Sequence, residues 1–159
     1  MTDTGDDAPD FTAPFVRDDI GPEALSENLD EEAPVVLAFF PGAFTAVCTE
    51  EMCTFEDELA AFEDVGATVY GVSVDTPFAL QEFKSRNELS FPLVSDTNKE
   101  LVDDYGVRTD FEDLGYYGVA ERAVFVVDDD GEVTYRWVGE NPGVEPDYDE
   151  VAEAASDAV

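Results

Sequence analysis

Val35–Phe40 is an unbroken apolar run, Val-Val-Leu-Ala-Phe-Phe, stopped by Pro41-Gly42. A strand that is apolar on both faces must be covered on both faces, so this run reads as a buried central strand and not a solvated edge. From Thr45 the period changes. Cys48, Met52, Phe55, Leu59 and Phe62 follow at spacings of 4, 3, 4 and 3, which line one face of a helix. Acidic residues fill its other face through Asp64, and Gly66 ends it. Ala67–Val74 reads as a second buried strand. Asp75-Thr76-Pro77 then carries a capping side chain and an early proline, which start a helix running to about Glu88.

The flanks are weaker but consistent. Phe11–Val16 alternates as a short strand, and Asp18–Glu32 is polar and turn-rich, with a short helix through Leu25 and Leu29. Phe91–Val94 is a short strand, Lys99–Tyr105 a short helix, and a loop rich in Gly and Tyr follows. Ala123–Val127 and Glu132–Val138 around Asp129-Asp130-Gly131 form a hairpin signal, and Asp147–Ala158 a last helix. Strands alternating with helices, then a hairpin, specify an α/β sandwich in which a central mixed sheet is flanked by helices. With 159 residues, one domain over 1–159 is expected.

Charge limits the partners. Forty acidic residues face seven basic ones, a net charge of −33, which repels phosphates and anionic headgroups and argues against nucleic acid and membrane surfaces as partners. Aromatic residues make up 12% of the chain, so a folded core is affordable despite the charge. The first ten residues carry Asp3, Asp6 and Asp7 and no basic start or apolar stretch, so a cytoplasmic location is expected. This acid-rich composition, with only Lys84 and Lys99 as lysines and Ile20 as the sole isoleucine, resembles that of proteins working in molar salt. Screening at about 1 M shortens the reach of each charge to about 3 Å. Dialysis to low salt is therefore expected to unfold or inactivate the protein, and a circular dichroism melt unchanged in dilute buffer would refute this.

The chain has two cysteines, Cys48 and Cys53, and no histidine. Imidazole-based triads and most zinc sites are thereby excluded. Cys48 falls in the first turn of the helix after the central strand, where free N–H groups and partial positive charge favour a thiolate. Thr45 is close enough to donate a hydroxyl to the sulfur or to a bound oxygen. A guanidinium is the other source of help, from among Arg17, Arg86, Arg108, Arg122 and Arg136. Cysteine is also an ordinary small apolar core residue, so the thiol alone decides nothing.

Its surroundings carry more. Pro41-Gly42-Ala43-Phe44-Thr45-Ala46-Val47-Cys48 contains Pro-x-x-x-Thr-x-x-Cys after a hydrophobic strand, and this resembles the peroxidatic signature of peroxiredoxins. Ala8-Pro9-Asp10-Phe11, Gly71–Asp75, Phe91–Asp96, Tyr105-Gly106-Val107 and Arg122–Asp128 resemble successive segments of the same family. The likeness is nearest to the alkyl hydroperoxide reductase E-like and Q-type (bacterioferritin comigratory protein) branches. It implies a thioredoxin-like fold and a thiol-dependent peroxidase acting on hydrogen peroxide and small alkyl hydroperoxides, with no metal, haem, flavin or other cofactor. By the same likeness Cys48 is the peroxidatic nucleophile, Arg122 stabilises its charge, Thr45 orients the peroxide, and Pro41 shapes the pocket. Glu51 supports the arginine, and Phe44 and Val47 flank the substrate. The Gly-Gly-Leu-Gly and Tyr-Phe segments of overoxidation-sensitive relatives are absent, which implies a robust enzyme.

Cys53 matches the Q-type resolving cysteine. Positions five apart on an intact helix lie about 8.7 Å apart at Cα, beyond the roughly 7 Å limit for a disulfide. Resolution by Cys53 thus requires the first turn to unwind, and the alternative is an external thiol. A thioredoxin-like or other dithiol donor is the expected reductant, meeting apolar contacts near Phe44, Tyr116 or Tyr117, and the protein is expected to be a monomer or homodimer. Two other readings stay open. A thiol-disulfide oxidoreductase is disfavoured by the missing Cys-x-x-Cys, and a non-catalytic holdase or interaction module would leave both cysteines inert.

Overall fold

The structure, a computed structural model, describes residues 2–159. The apolar run forms β3 (Val35–Phe39), central in a seven-stranded sheet with β1 (Thr12–Val16), β2 (Ile20–Ala24), β4 (Thr68–Ser73), β5 (Leu93–Ser95), β8 (Ala123–Val127) and β9 (Val133–Val138). Their order across the sheet is β2-β1-β5-β4-β3-β8-β9. β3 pairs in parallel with β4, and β4 with β5, while β8 runs antiparallel to β3 and hairpins into β9. The sheet is mixed, as expected.

Both faces of β3 are covered, which explains its continuous apolar sequence. Val35, Leu37 and Phe39 face a core that includes Leu25 and Leu29 of α1 (Leu25–Glu32) and Leu101 and Val102 of α5 (Glu100–Asp104). Val36, Ala38 and the following Phe40 face the other core. There they meet Cys48, Met52 and Phe55 of α2 (Ala46–Asp57), Phe62 of α3 (Leu59–Asp64), Leu80 and Phe83 of α4 (Pro77–Arg86), and Val151 of α6 (Tyr148–Asp157). At about 1.5–3 kcal/mol per large apolar side chain, the fully buried residues of β3 outweigh any local preference in the surrounding loops.

Three expectations are corrected. The single helix read from Thr45 to Asp64 is two, because the chain steps at the exposed Glu58 (φ −93°, ψ 2°). The apolar period survives the step: Phe55 and Phe62 remain on one core, their rings 5.8 Å apart. The polar stretch before α1 contains β2, an edge strand zipped along the whole of β1. The Gly- and Tyr-rich loop is a small two-stranded sheet of β6 (Arg108–Phe111) and β7 (Tyr116–Ala120), joined by a 3-10 turn at Glu112–Leu114. Gly115 closes that turn at φ +62°, a left-handed conformation that suits glycine. Short strands that pair only with each other leave too brief a period to be read locally.

Candidate active site

Pro41-Gly42 ends β3 and turns the chain into α2. Thr45 occupies the cap position of that helix, but its hydroxyl donates to the Gly42 carbonyl at 2.8 Å and caps no helix N–H. Of the two donations open to it, to the sulfur or to a bound oxygen, Thr45 makes neither: its hydroxyl hydrogen goes to backbone, while the side chain lines the cavity. Asp75, read from sequence as part of a helix cap, has another task. Thr76 caps α4 by accepting from the Ala79 N–H, while Asp75 Oδ2 accepts from the Ala43 N–H at 2.8 Å and from the Ser73 hydroxyl at 2.7 Å. The loop before Cys48 is thus tied to the end of β4.

Cys48 is buried at the floor of a cavity of about 800 Å³. Arg122, at the start of the strand paired to β3, is only 2% exposed, and its Nη2 lies 3.1 Å from Cys48 Sγ. The same guanidinium donates from Nη1 to Glu51 Oε1 at 2.6 Å, and from Nε and Nη2 to the Pro142 carbonyl at 3.1 and 2.9 Å. Burial opposes its charge, but Glu51 and Cys48 more than offset this and raise its pKa above the ordinary arginine value. A planar fork with this many fixed partners is held in one orientation, which a flexible ammonium could not match. Together with the start of α2, the guanidinium sets positive charge beside the sulfur and beside any oxygen that would bind there.

Glu51 is fully buried, one turn after Cys48 on the inward face of α2 and away from the acidic outer face. Its Oε2 has no hydrogen-bond partner. Burial pushes the carboxyl up from its ordinary 4.5 to about 8, with the Arg122 guanidinium pulling the other way. Folding therefore takes up a proton at Glu51. The associated stabilisation is complete below about pH 4.5 and lost as pH rises through about 8. Relative to Glu51→Gln, which does not titrate, the unfolding free energy of the parent is expected to fall between about pH 5 and 8.5. Urea unfolding across that range checks it, and a flat or rising difference contradicts it.

The other predicted residues divide. Pro41 and Val47 line the cavity. Phe44 does not: it is 50% exposed at φ +68°, edge-on to Phe83 at 5.4 Å and under the Arg86 guanidinium at 5.5 Å. The left-handed backbone at Phe44 turns its ring toward α4, away from the site expected for it. Cys53 is also outside the cavity. Its thiol faces Asn87 Oδ1 at 3.7 Å, and both cysteines are free on an intact α2. Arg108 pairs with Asp103, Arg136 lies opposite Phe125 on β9, and neither lines the cavity.

Sequence reasoning missed one contributor and gave another a different task. Pro142 supplies the carbonyl that clamps Arg122, and Tyr116 of β7, expected as an apolar contact for the reductant, donates its hydroxyl to the Pro41 carbonyl at 3.1 Å, closing the β6–β7 flap onto the loop. No local signal marks a backbone carbonyl, while Tyr116 stood out only as one of several aromatics. Among the described residues no helix is long and apolar enough to cross a membrane.

Comparison with known proteins agrees with this geometry. The model of the AhpC/TSA family matches residues 4–136. A chloroplastic 2-cysteine peroxiredoxin of Chattonella marina var. antiqua is 40% identical over 142 residues, covering 84% of this chain and 69% of its own. The putative peroxiredoxin bcp of Coxiella burnetii is 36% identical over 137 residues, covering 85% and 87%. The crystal structure of peroxidoxin BcpB from Mycobacterium tuberculosis superposes with a TM-score of 0.84 at 31% identity, over 100% of this chain and 99% of that one. With a thioredoxin-like mixed sheet, a cysteine at the start of α2 and relatives of this kind, the chain belongs to the AhpC/TSA family and is a peroxiredoxin, a thiol-dependent peroxidase.

Proposed function

We propose that Cys48 is the peroxidatic thiolate, that Arg122 holds it and the reacting oxygens, and that Cys53 completes the turnover. The observation that carries this reading is the 3.1 Å contact between Arg122 Nη2 and Cys48 Sγ at the floor of the cavity. The sulfur anion attacks the terminal oxygen of R–O–O–H. The S–O bond forms as the O–O bond breaks, and the departing RO⁻ takes a proton, leaving Cys48 sulfenic acid and ROH. Arg122 and the first N–H groups of α2 offset the charge that moves from sulfur to oxygen. Thr45 and Pro41 orient the peroxide and keep water out, and Glu51 positions the arginine.

The Cys53 thiol then displaces the hydroxyl of the sulfenic acid, giving a Cys48–Cys53 disulfide and water. Because α2 is intact around both residues, its first turn must open, where few hydrogen bonds are lost. An external dithiol of thioredoxin type returns both thiols and is itself oxidised. The net reaction converts ROOH and a dithiol into ROH, water and a disulfide. Hydrogen peroxide and alkyl hydroperoxides are neutral near pH 7, so the acidic surface does not exclude them. A cytoplasmic location and a single domain over 1–159 fit this reading.

Intact mass after one equivalent of peroxide tests it. Loss of about two hydrogens, with one equivalent consumed, is expected for the internal disulfide. A gain of about one oxygen assigns resolution to an external thiol, and no change with no peroxide consumed removes the peroxidase roles altogether.

A further inference from the structure

The cavity above Cys48, about 800 Å³, is much larger than hydrogen peroxide needs, since a water-sized molecule takes a share of about 30 Å³. Its size comes from the flap. Phe111 and Tyr116, paired across β6 and β7 with their rings 6.2 Å apart, form one wall, and Val47 and Pro142 form others. Leu114, at the tip of the flap, also lines the cavity yet is 78% exposed. On a surface dominated by carboxylates, that leucine leaves most of its apolar surface uncovered. Glu112 and Asp113 immediately precede it, line the same cavity and are exposed, as is Asp110. Apart from Arg122, which is already engaged by Cys48, Glu51 and Pro142, no cationic side chain lines the cavity among the described residues.

An apolar slot leading to a buried nucleophile, with carboxylates around its mouth, discriminates on two grounds. A bulky organic tail gains by covering Leu114, Phe111 and Val47. A tail bearing a carboxylate loses twice: it is desolvated by those walls and repelled by Glu112, Asp113 and Asp110 with no free cation to receive it. We propose that the β6–β7 flap is the specificity element of this peroxidase, selecting bulky, uncharged, apolar hydroperoxides and turning away those that carry a carboxylate. The proposal rests on the peroxidase reading of Cys48 above.

The test uses three substrates: hydrogen peroxide, an eight-carbon hydroperoxy acid, and the methyl ester of that acid. Rates of Cys48 oxidation are followed by stopped flow at the lowest salt at which the protein stays folded. The parent is expected to prefer ester to acid. Leu114→Ala, at a side chain that is mostly exposed, should lower the ratio of ester rate to hydrogen peroxide rate about fivefold. Glu112→Gln/Asp113→Asn should raise the acid-to-ester ratio about threefold. The remote pair Asp129→Asn/Asp130→Asn at the β8–β9 turn changes the net charge equally and should leave that ratio alone. A ratio of ester to hydrogen peroxide untouched by Leu114→Ala, or an acid-to-ester ratio shifted equally by both charge pairs, overturns the proposal. A parent that fails to reduce hydrogen peroxide instead overturns the reading on which it rests.

Discussion

Cys48→Ser is expected to abolish hydroperoxide reduction, with kcat/KM falling by on the order of 10⁴-fold or more. A serine hydroxyl in the same place stays protonated, and its oxygen is a poor nucleophile toward a peroxide bond. The remaining thiol does not compensate. Burial, then Asp57 and Glu56, push the Cys53 pKa above the ordinary thiol value, and its sulfur faces Asn87 instead of the cavity. Cys53→Ser should accordingly leave the first, peroxide-consuming step intact and stop only internal disulfide formation. Stopped-flow measurement of peroxide loss by the two reduced variants, with far-ultraviolet circular dichroism to confirm folding, separates these outcomes. Undiminished peroxide loss in Cys48→Ser would move the chemistry away from this sulfur. Disulfide exchange without peroxide consumption in the parent would favour the oxidoreductase.

Arg122→Met carries the second large effect, on rate and stability together. Removing the guanidinium takes away the positive charge 3.1 Å from the sulfur, which is expected to lower kcat/KM by about 10²–10³. It also leaves the fully buried Glu51 with neither oxygen partnered. Orphaning one member of a buried pair costs about 3–5 kcal/mol. The upward push of burial on Glu51 reduces that loss wherever the carboxyl picks up a proton, so the destabilisation should grow with pH. Arg122→Met combined with Glu51→Gln separates the two roles: most of the stability returns, because no carboxylate is buried, but none of the rate does. Arg122→Lys should recover little activity, since a single ammonium cannot serve Cys48, Glu51 and the Pro142 carbonyl together. A parent-like rate in Arg122→Met, or recovery of the rate in the double variant, would show that the arginine is structural only.

Much of this site was legible before any tertiary contact was known. The Pro41, Thr45 and Cys48 spacing lies within one strand–turn–helix unit, and local rules place all three at the helix start. Val47 follows from the same unit. Glu51 was harder. Being one turn after Cys48 put it on the right side of the helix and the family likeness singled it out, but among forty acidic residues no local pattern separates the buried one from the solvated ones. Phe44 shows the reverse error: its place in the motif suggested a substrate contact, and a left-handed backbone turned the ring toward Phe83 and Arg86. The β6–β7 flap was unreadable because its two short strands are specified by each other and by the Tyr116 bond to Pro41.

Periodicity alone determined the central strand, the helix faces, the β8–β9 hairpin and hence the layered α/β class, because alternation of 2 and 3.6 residues is a local consequence of backbone geometry. The family likeness pointed to Arg122 and Glu51, but only the tertiary structure brought that arginine to the sulfur, buried that carboxylate beside it and roofed the cavity. Those contacts join residues 71, 74 and 75 positions apart. Pairings at that range are settled by how the strands and helices pack, which no local pattern in the chain records.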